Sequence, residues 1–166
     1  IHEGSYSYLI KLINKVAKTD ISAIKFQPYL ADELVSKEHP DYNFFKNSEI
    51  KEVQWIKIFS MVKNAKKDVW IDIFSDFSKK LCLKYSKKIK GIKINLSLLD
   101  DIKIIEFINN FKHPVIIPTS GSNLLNIIEF VKKLNPSINC ILMHGYQSFP
   151  KIFTKGGPPK LSLIHI

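Results

Sequence analysis

Two lysines occupy equivalent places in two apolar runs, and their chemistry is that of an anion site. Lys25 lies in the run Ile24-Lys25-Phe26-Gln27, and Lys93 lies in the similar run Ile92-Lys93-Ile94-Asn95. Because side chains alternate along a strand, Lys25 and Gln27 point to one face and their apolar neighbours to the other. A lysine inside an apolar strand is costly unless it meets an anion or lines a polar cavity. These lysines therefore predict a site for phosphate or carboxylate groups.

Further polar residues follow two later apolar runs. The run from Val115 ends at Thr119, and the run from Ile141 leads into His144 and Gln147. In parallel α/β folds, chemistry collects where the strands end, so the two lysines, an amide, a hydroxyl and an imidazole are expected at one rim. Taken singly, Lys93 is equally well explained as the end of an edge strand, and His144 as a core histidine. The shared alternation of the two lysines favours the site.

The elements that would position these residues follow a regular alternation. Five apolar runs rich in β-branched residues predict buried strands, and the last four of them begin 23 to 26 residues apart. The first is Ala23 to Phe26, and the others begin at Val69, Ile92, Val115 and Ile141. Segments between them carry apolar residues at i, i+3, i+4 and i+7, which predicts helices with one buried face. Parallel strand-helix repeats are the expected arrangement.

Helix starts and one loop are also predicted. Serine accepts hydrogen bonds from free N–H groups at helix starts, so Ser5, Ser48 and Ser122 are candidate N-caps. The stretch from Tyr29 to Glu49 is polar and aromatic without clear periodicity, which predicts a long loop beside the site.

The alternation predicts the α/β class, either as an open doubly wound sheet or as a barrel. No glycine-rich turn follows the first strand, which argues against a Rossmann sheet. A closed eight-stranded barrel typically needs about 200 to 250 residues. The 166 residues and five strands therefore predict a partial (β/α)8 TIM barrel over residues 1–150, followed by a poorly matched segment 151–166. Because the chain begins at Ile1 and ends in an apolar run, it is expected to be incomplete.

Bulk composition narrows the partners. The formal charge is +10, but all 25 basic residues are lysines, scattered along the chain, whereas nucleic-acid recognition favours arginine. No apolar run approaches the roughly 20 residues of a membrane span, and the first residues lack a signal-peptide layout. Cys82 and Cys140 are expected to be buried free thiols. We therefore expect a cytoplasmic protein that binds neither nucleic acid nor membrane.

An ordered set of motifs resembles the N-acetylneuraminate (sialic acid) synthase family over most of residues 2–150. His2-Glu3-Gly4-Ser5 and Ala23-Ile24-Lys25-Phe26-Gln27 resemble the family's Asn-His-x-Gly loop and Lys-x-Gln strand end. Lys93-Ile94 resembles its Lys-Ile strand, and Pro114-Val115-Ile116-Ile117 with Thr119 resembles a later strand. Leu142-Met143-His144 with Pro150 resembles its Leu-Leu-His…Tyr-Pro segment. Each motif is moderately specific, but their order and spacing as a set are more so.

The resemblance implies a transferase of carbohydrate biosynthesis. Such an enzyme condenses phosphoenolpyruvate with N-acetylmannosamine or a related N-acetylated hexose to give a sialic-acid-like nonulosonate. It also implies a divalent metal, typically manganese, as Lewis acid, with ligands that lie outside this chain. A homodimer is a further implication for the full-length protein.

The resemblance also assigns roles to individual residues. Lys25 and Lys93 would hold the phosphate and carboxylate of phosphoenolpyruvate, and Gln27, Thr119 and Gln147 would supply further hydrogen bonds. His144 would support the strand end and would not be a ligand.

Departures from the family pattern leave the activity open. Asp72 stands where a phosphate-binding hydroxyl is expected, Leu98 where a sugar-site carboxylate is expected, and Phe149 where a tyrosine is expected. The family's Glu-Ile-Gly strand would precede Ile1, and its metal-binding histidines would follow residue 166, so this chain by itself is expected to be inactive. Two alternatives remain: a catalytically impaired sugar-binding family member, or another TIM-barrel lyase or aldolase acting on a phosphorylated substrate, with Lys93 as a Schiff-base lysine.

Overall fold

The computed structural model describes residues 4–119 and 123–144. In chain order, these residues form seven α-helices and five strands: α1 (Tyr6–Val16), β1 (Ala23–Phe26), α2 (Ala31–Leu34), α3 (Tyr42–Asn47), α4 (Glu52–Asn64), β2 (Asp68–Ile73), α5 (Asp76–Lys84), β3 (Gly91–Ile94), α6 (Ile102–Phe111), β4 (Val115–Pro118), α7 (Leu124–Lys132) and β5 (Cys140–Met143). Single 3₁₀ turns cover Ser86–Lys88 and Leu96–Leu98. The predicted α/β class is confirmed.

The five strands form one sheet in the order β1-β2-β3-β4-β5, and every pairing is parallel. Each strand therefore lies beside the next strand in sequence. A doubly wound sheet reverses its strand order at a switch point, and this sheet has no such reversal. Sequential parallel strands joined by helices are the arrangement of a (β/α)8 barrel wall.

One apolar core holds the helices against the sheet. The strands contribute alternate residues such as Ile71, Ile73 and Ile92, which are essentially inaccessible to solvent. The helices contribute the predicted stripes, and α4 alone buries Trp55, Ile58, Phe59 and Val62. Fully burying one such side chain stabilises a protein by roughly 1.5 to 3 kcal/mol. This packing fixes the strands that carry the polar residues on the opposite face.

The long loop predicted from Tyr29 to Glu49 contains two short helices, α2 and α3. Helices of four and six residues are too short to show apolar periodicity, so they left no signal in the sequence. Side-chain contacts hold them together: Asp32 accepts hydrogen bonds from the Tyr42 hydroxyl at 2.6 Å and from the Lys46 ammonium at 2.9 Å. The Ala31 N–H donates to Glu49 at 2.7 Å.

The predicted N-caps have different outcomes. Ser5 caps α1, because its hydroxyl accepts a hydrogen bond from the Tyr8 N–H at 3.2 Å. Ser48 instead follows the last residue of α3, and Lys51 occupies the N-cap position of α4. The apolar stripe of α4 fits a helix that begins after Ser48 as well as one that begins after Lys51. The prediction for Ser48 is wrong because α3, which left no signal in the sequence, ends there. Ser122 lies outside the described residues.

Candidate anion site at the strand ends

Strand register brings three charged residues onto one face of the sheet. Asp72 pairs directly with Lys93 across β2 and β3, and Lys25 pairs with Trp70 across β1 and β2. Because side chains alternate with a period of two, Trp70 and Asp72 share a face, so Lys25 lies diagonally from Asp72. Gln27 follows β1 by one residue and comes level with Asp72. The two lysines thus approach one carboxylate from neighbouring strands on either side.

The Asp72 carboxylate is the centre of this cluster. Its Oδ2 atom accepts hydrogen bonds from the Lys25 ammonium and, at 3.3 Å, from the Gln27 amide. The Lys93 ammonium lies 3.2 Å from Oδ1 and 3.4 Å from Oδ2. A buried carboxylate is costly unless it is paired and hydrogen-bonded, and Asp72 has both kinds of partner. The three donors satisfy a residue that is only 1% exposed.

The two lysines differ in their access to solvent. The Lys93 side chain is 17% exposed and the Lys25 side chain is 36% exposed. A lysine ammonium carries three donors, and each ammonium contacts only Asp72 among the described side chains. Lys25 in particular retains donors toward open space. The cluster can therefore accept an anionic group from outside while Asp72 remains in place.

Gly91 makes room for the Trp70 ring next to the charged cluster. A Cβ atom at Gly91 would lie 2.6 Å from the Trp70 ring and 2.7 Å from the Pro114 carbonyl oxygen. The absence of a side chain lets the Trp70 ring cover the start of β3, one layer below Lys93 on the same face. The tryptophan therefore closes the sheet face beneath the charged cluster.

Thr119 and His144 form a second polar contact, at the ends of β4 and β5. The Thr119 N–H donates to the Met143 carbonyl at 3.0 Å, and the Thr119 hydroxyl lies 3.3 Å from His144 Nδ1. His144 Nε2 is buried and has no hydrogen-bond partner within residues 4–119 and 123–144. The described hydrogen bonds of Thr119 thus go to β5 rather than to the lysines. Gln147 lies outside the described residues.

Two cavities adjoin the strand ends. One, of about 570 Å³, lies beside β1 and is lined by Lys25, Gln27, Ser48 and mostly apolar or aromatic side chains, including Tyr29 and Trp55. Burial raises the pKa of the Tyr29 hydroxyl above its ordinary value, so this group stays neutral near pH 7.

The second cavity, of about 350 Å³, follows the end of β2. Its polar lining includes Glu33, Asp76, Lys79 and Asp101, and Leu98 forms part of the wall. The Lys79 ammonium, 2.6 Å from Asp76, holds the pKa of that carboxyl below its usual range. Leu98 adds to the apolar part of the wall, which Ile73 and Phe74 also form.

Asp72 stands out in the sequence as a departure from a family motif, but it is not among the predicted site residues. The one signal in the sequence was the position of Asp72 in an alternating strand pattern. Once the strands are in register, Asp72 lies on the same face of the sheet as Lys25 and Lys93. Neither run of sequence reveals that register. The structure therefore adds Asp72 to the candidate site, while the ligand roles of Lys25, Gln27, Lys93, Thr119 and Gln147 stay predictions.

Neither a metal site nor a membrane span is found in the part of the chain that the structure describes. No group of three or more His, Cys, Asp or Glu side chains is placed to hold a metal ion there. None of the helices in that part is both long and apolar enough to cross a membrane. Manganese therefore stays a prediction drawn from the family resemblance.

Comparison with known proteins gives the family. The model of the NeuB family matches residues 12–156, which is most of the chain. The chain belongs to the NeuB family. An uncharacterized protein of Methanocaldococcus jannaschii is 28% identical over 156 residues, which cover 90% of this NeuB chain and 44% of that protein.

Solved structures share the fold of this NeuB chain. An N-acetylneuraminic acid synthetase from Leptospira borgpetersenii serovar Hardjo-bovis, in complex with citrate, superposes with a TM-score of 0.79 at 18% identity, covering 91% of this chain and 53% of that one. A putative spore coat polysaccharide biosynthesis protein E from Chromobacterium violaceum gives 0.73 at 19% identity, over 86% and 46% of the two chains. The NeuB chain thus spans about half the length of these proteins.

Proposed function

We propose that this NeuB-family protein condenses phosphoenolpyruvate with N-acetylmannosamine or a related amino sugar to give a sialic-acid-like nonulosonate. The observation that carries the proposal is the convergence of the Lys25 and Lys93 ammonium groups on one carboxylate at the ends of β1 and β3. Two ammoniums that close can share one small anion. Family membership supplies the reaction class, and the similarity to a sialic acid synthetase is consistent with it.

The proposed reaction forms one carbon–carbon bond and one carbon–oxygen bond, and it breaks one carbon–oxygen bond. The C3 carbon of phosphoenolpyruvate attacks the aldehyde carbon of the open-chain sugar, and the aldehyde oxygen takes a proton to become a hydroxyl. Water adds at C2, and the bond between C2 and the phosphate oxygen breaks. The products are the nonulosonate and inorganic phosphate.

Within this proposal, the residues of the chain bind and orient phosphoenolpyruvate. Lys25 and Lys93 would neutralise its charge, and the Gln27 amide would help to fix the approach of its anionic group. Thr119 and Gln147 would add hydrogen bonds at the same rim. Manganese would act as Lewis acid on the aldehyde in the full-length protein. Among the described residues, no group of three or more His, Cys, Asp or Glu side chains is placed to bind it. A cytoplasmic location and a homodimer belong to the same proposal.

The test is a phosphate-release assay on the full-length protein with phosphoenolpyruvate, manganese and a panel of N-acetylated hexoses. We expect phosphate release that depends on one of the sugars. Lys93→Met should reduce kcat/KM at least a hundredfold, whereas Lys63→Met, which changes an exposed lysine paired with Asp68, should leave it unchanged. Absence of phosphate release across the panel would reject the proposal.

A second candidate function is sugar binding without catalysis. The observation in its favour is that Asp72 already lies between the two lysines, where the family pattern has a hydroxyl. Calorimetry on the full-length protein would then detect binding of an N-acetylated hexose without any release of phosphate. Sugar-dependent phosphate release would exclude this candidate.

A further inference from the structure

Asp72 is fixed in position more firmly than the lysines it contacts. It lies inside β2 between Ile71 and Ile73, both essentially inaccessible to solvent, and its own residue is 1% exposed. Three donors from β1, its following residue and β3 hold the carboxylate. A rotation of Asp72 away from the lysines would leave its charge unpaired in the interior, which is strongly unfavourable. An incoming ligand therefore meets this carboxylate and cannot easily displace it.

Asp72 therefore lowers the net positive charge of the cluster. Lys25 and Lys93 contribute two positive charges and Asp72 contributes one negative charge, so the three groups together carry a single positive charge. A phosphate dianion bound to the lysines would also be a near neighbour of the Asp72 carboxylate. Like charges this close repel each other, and solvent screens the buried Asp72 carboxylate poorly. A carboxylate ligand carries one charge and matches the balance.

We propose that Asp72 is a specificity-determining residue, which makes the Lys25–Lys93 site select a singly charged carboxylate group over a phosphate dianion. This inference concerns the site itself and holds whichever reaction the protein carries out. For phosphoenolpyruvate, it assigns the carboxylate to the lysine pair and leaves the phosphate to groups outside the cluster. Lys25 provides the contact, because it is the more exposed of the two lysines.

Ligand binding to Asp72→Asn tests the inference, because asparagine keeps the shape of the side chain and removes its charge. The probes are inorganic phosphate and pyruvate at pH 8, titrated by NMR into the full-length protein at constant ionic strength. The wild-type protein should bind pyruvate more tightly than phosphate. In Asp72→Asn, the ratio of the phosphate Kd to the pyruvate Kd should fall at least tenfold. Asp68→Asn, which changes a partly exposed acid on the same strand, should leave the ratio at its wild-type value.

A ratio that is unchanged in Asp72→Asn, or tighter phosphate binding by the wild type, would overturn the inference. If Asp72→Asn does not fold in buffer, its refolding yield is measured in sodium phosphate and in sodium chloride of equal ionic strength. Recovery that requires phosphate supports the inference, and equal recovery overturns it. The titrations involve no sugar and no turnover. A failure of the condensation assay therefore leaves this result standing, and the reverse also holds.

Discussion

At the scale of single residues, the polar cluster depends on Asp72, the buried group that both lysines contact. If one lysine is removed, the Asp72 carboxylate keeps the other lysine and Gln27 as partners. Its negative charge is then less well compensated but not unpaired. The cost should follow burial, because solvent screens and replaces interactions of the more exposed side chain. Lys93 is the more buried of the two lysines.

We therefore expect Lys93→Met to lower the free energy of unfolding by about 1 to 3 kcal/mol. Lys25→Met should cost less, roughly 1 kcal/mol or below. Urea unfolding of the three proteins, followed by far-UV circular dichroism, measures both values. Lys63→Met is the surface control and should stay within about 1 kcal/mol of the wild type. A larger loss for Lys25→Met than for Lys93→Met would contradict the ranking by burial.

At the level of single elements, side-chain N-caps fix where the helices α5, α6 and α7 begin. The helices α5, α6 and α7 have nine or ten residues each, and their N-caps are Ser75, Asp101 and Asn123. Asp101 accepts a hydrogen bond from the Lys103 N–H at 2.9 Å. Helices of this length are only marginally stable in isolation because nucleation is unfavourable, so an N-cap contributes a useful share of their stability. Asp101 also ends the loop that follows β3, the strand that carries Lys93.

Asp101→Ala should therefore destabilise the protein by about 1 kcal/mol, with a lower thermal midpoint. The adjacent exposed acid provides the control, since Asp100→Ala removes the same charge without removing the cap and should change stability by about 0.5 kcal/mol at most. Differential scanning calorimetry distinguishes the two variants. Equal effects would show that charge, not capping, decides the stability of α6.

In the described molecule as a whole, the sheet and the helices share one apolar core. The two cysteines lie at different depths in this core. Cys82 lies on α5 and is completely buried, whereas Cys140 begins β5 and is only partly buried. Burial raises the pKa of both thiols above the ordinary value of 9.0, more so for Cys82. Since the thiolate is the reactive form, both are protected in the folded state.

We expect Cys140 to react with a thiol reagent at pH 8 at least tenfold faster than Cys82, whose modification should require opening of the core. Peptide mapping by mass spectrometry after timed labelling gives the two rates. The raised pKa also sets the sign of a pH effect: the unfolded thiol ionises first, so the contribution of Cys82 to stability is complete below about pH 9 and falls as the pH rises further. Equal labelling rates would argue against a core that is cooperative around α5.

Local patterns in the sequence determined most of the architecture. The predicted starts of β2 to β5 lie within one residue of the observed ones, for example Val69 against Asp68 and Ile92 against Gly91. The helical stripes and the motif order gave the α/β class and the family correctly. These features are readable because apolar periodicity reports on which face of a single element is buried, and that is a property of neighbouring residues. Helices α2 and α3 are shorter than this signal requires.

The group that lies between Lys25 and Lys93 could not be predicted from local sequence patterns. Both lysines were expected on one face, and alternation within each strand is enough to predict that. The placement of Asp72 between them depends on the register of β1, β2 and β3, which is set by packing among residues about 20 to 50 positions apart. A shift of one residue in β2 would have turned Asp72 into the helix layer and left the two ammoniums without their shared carboxylate.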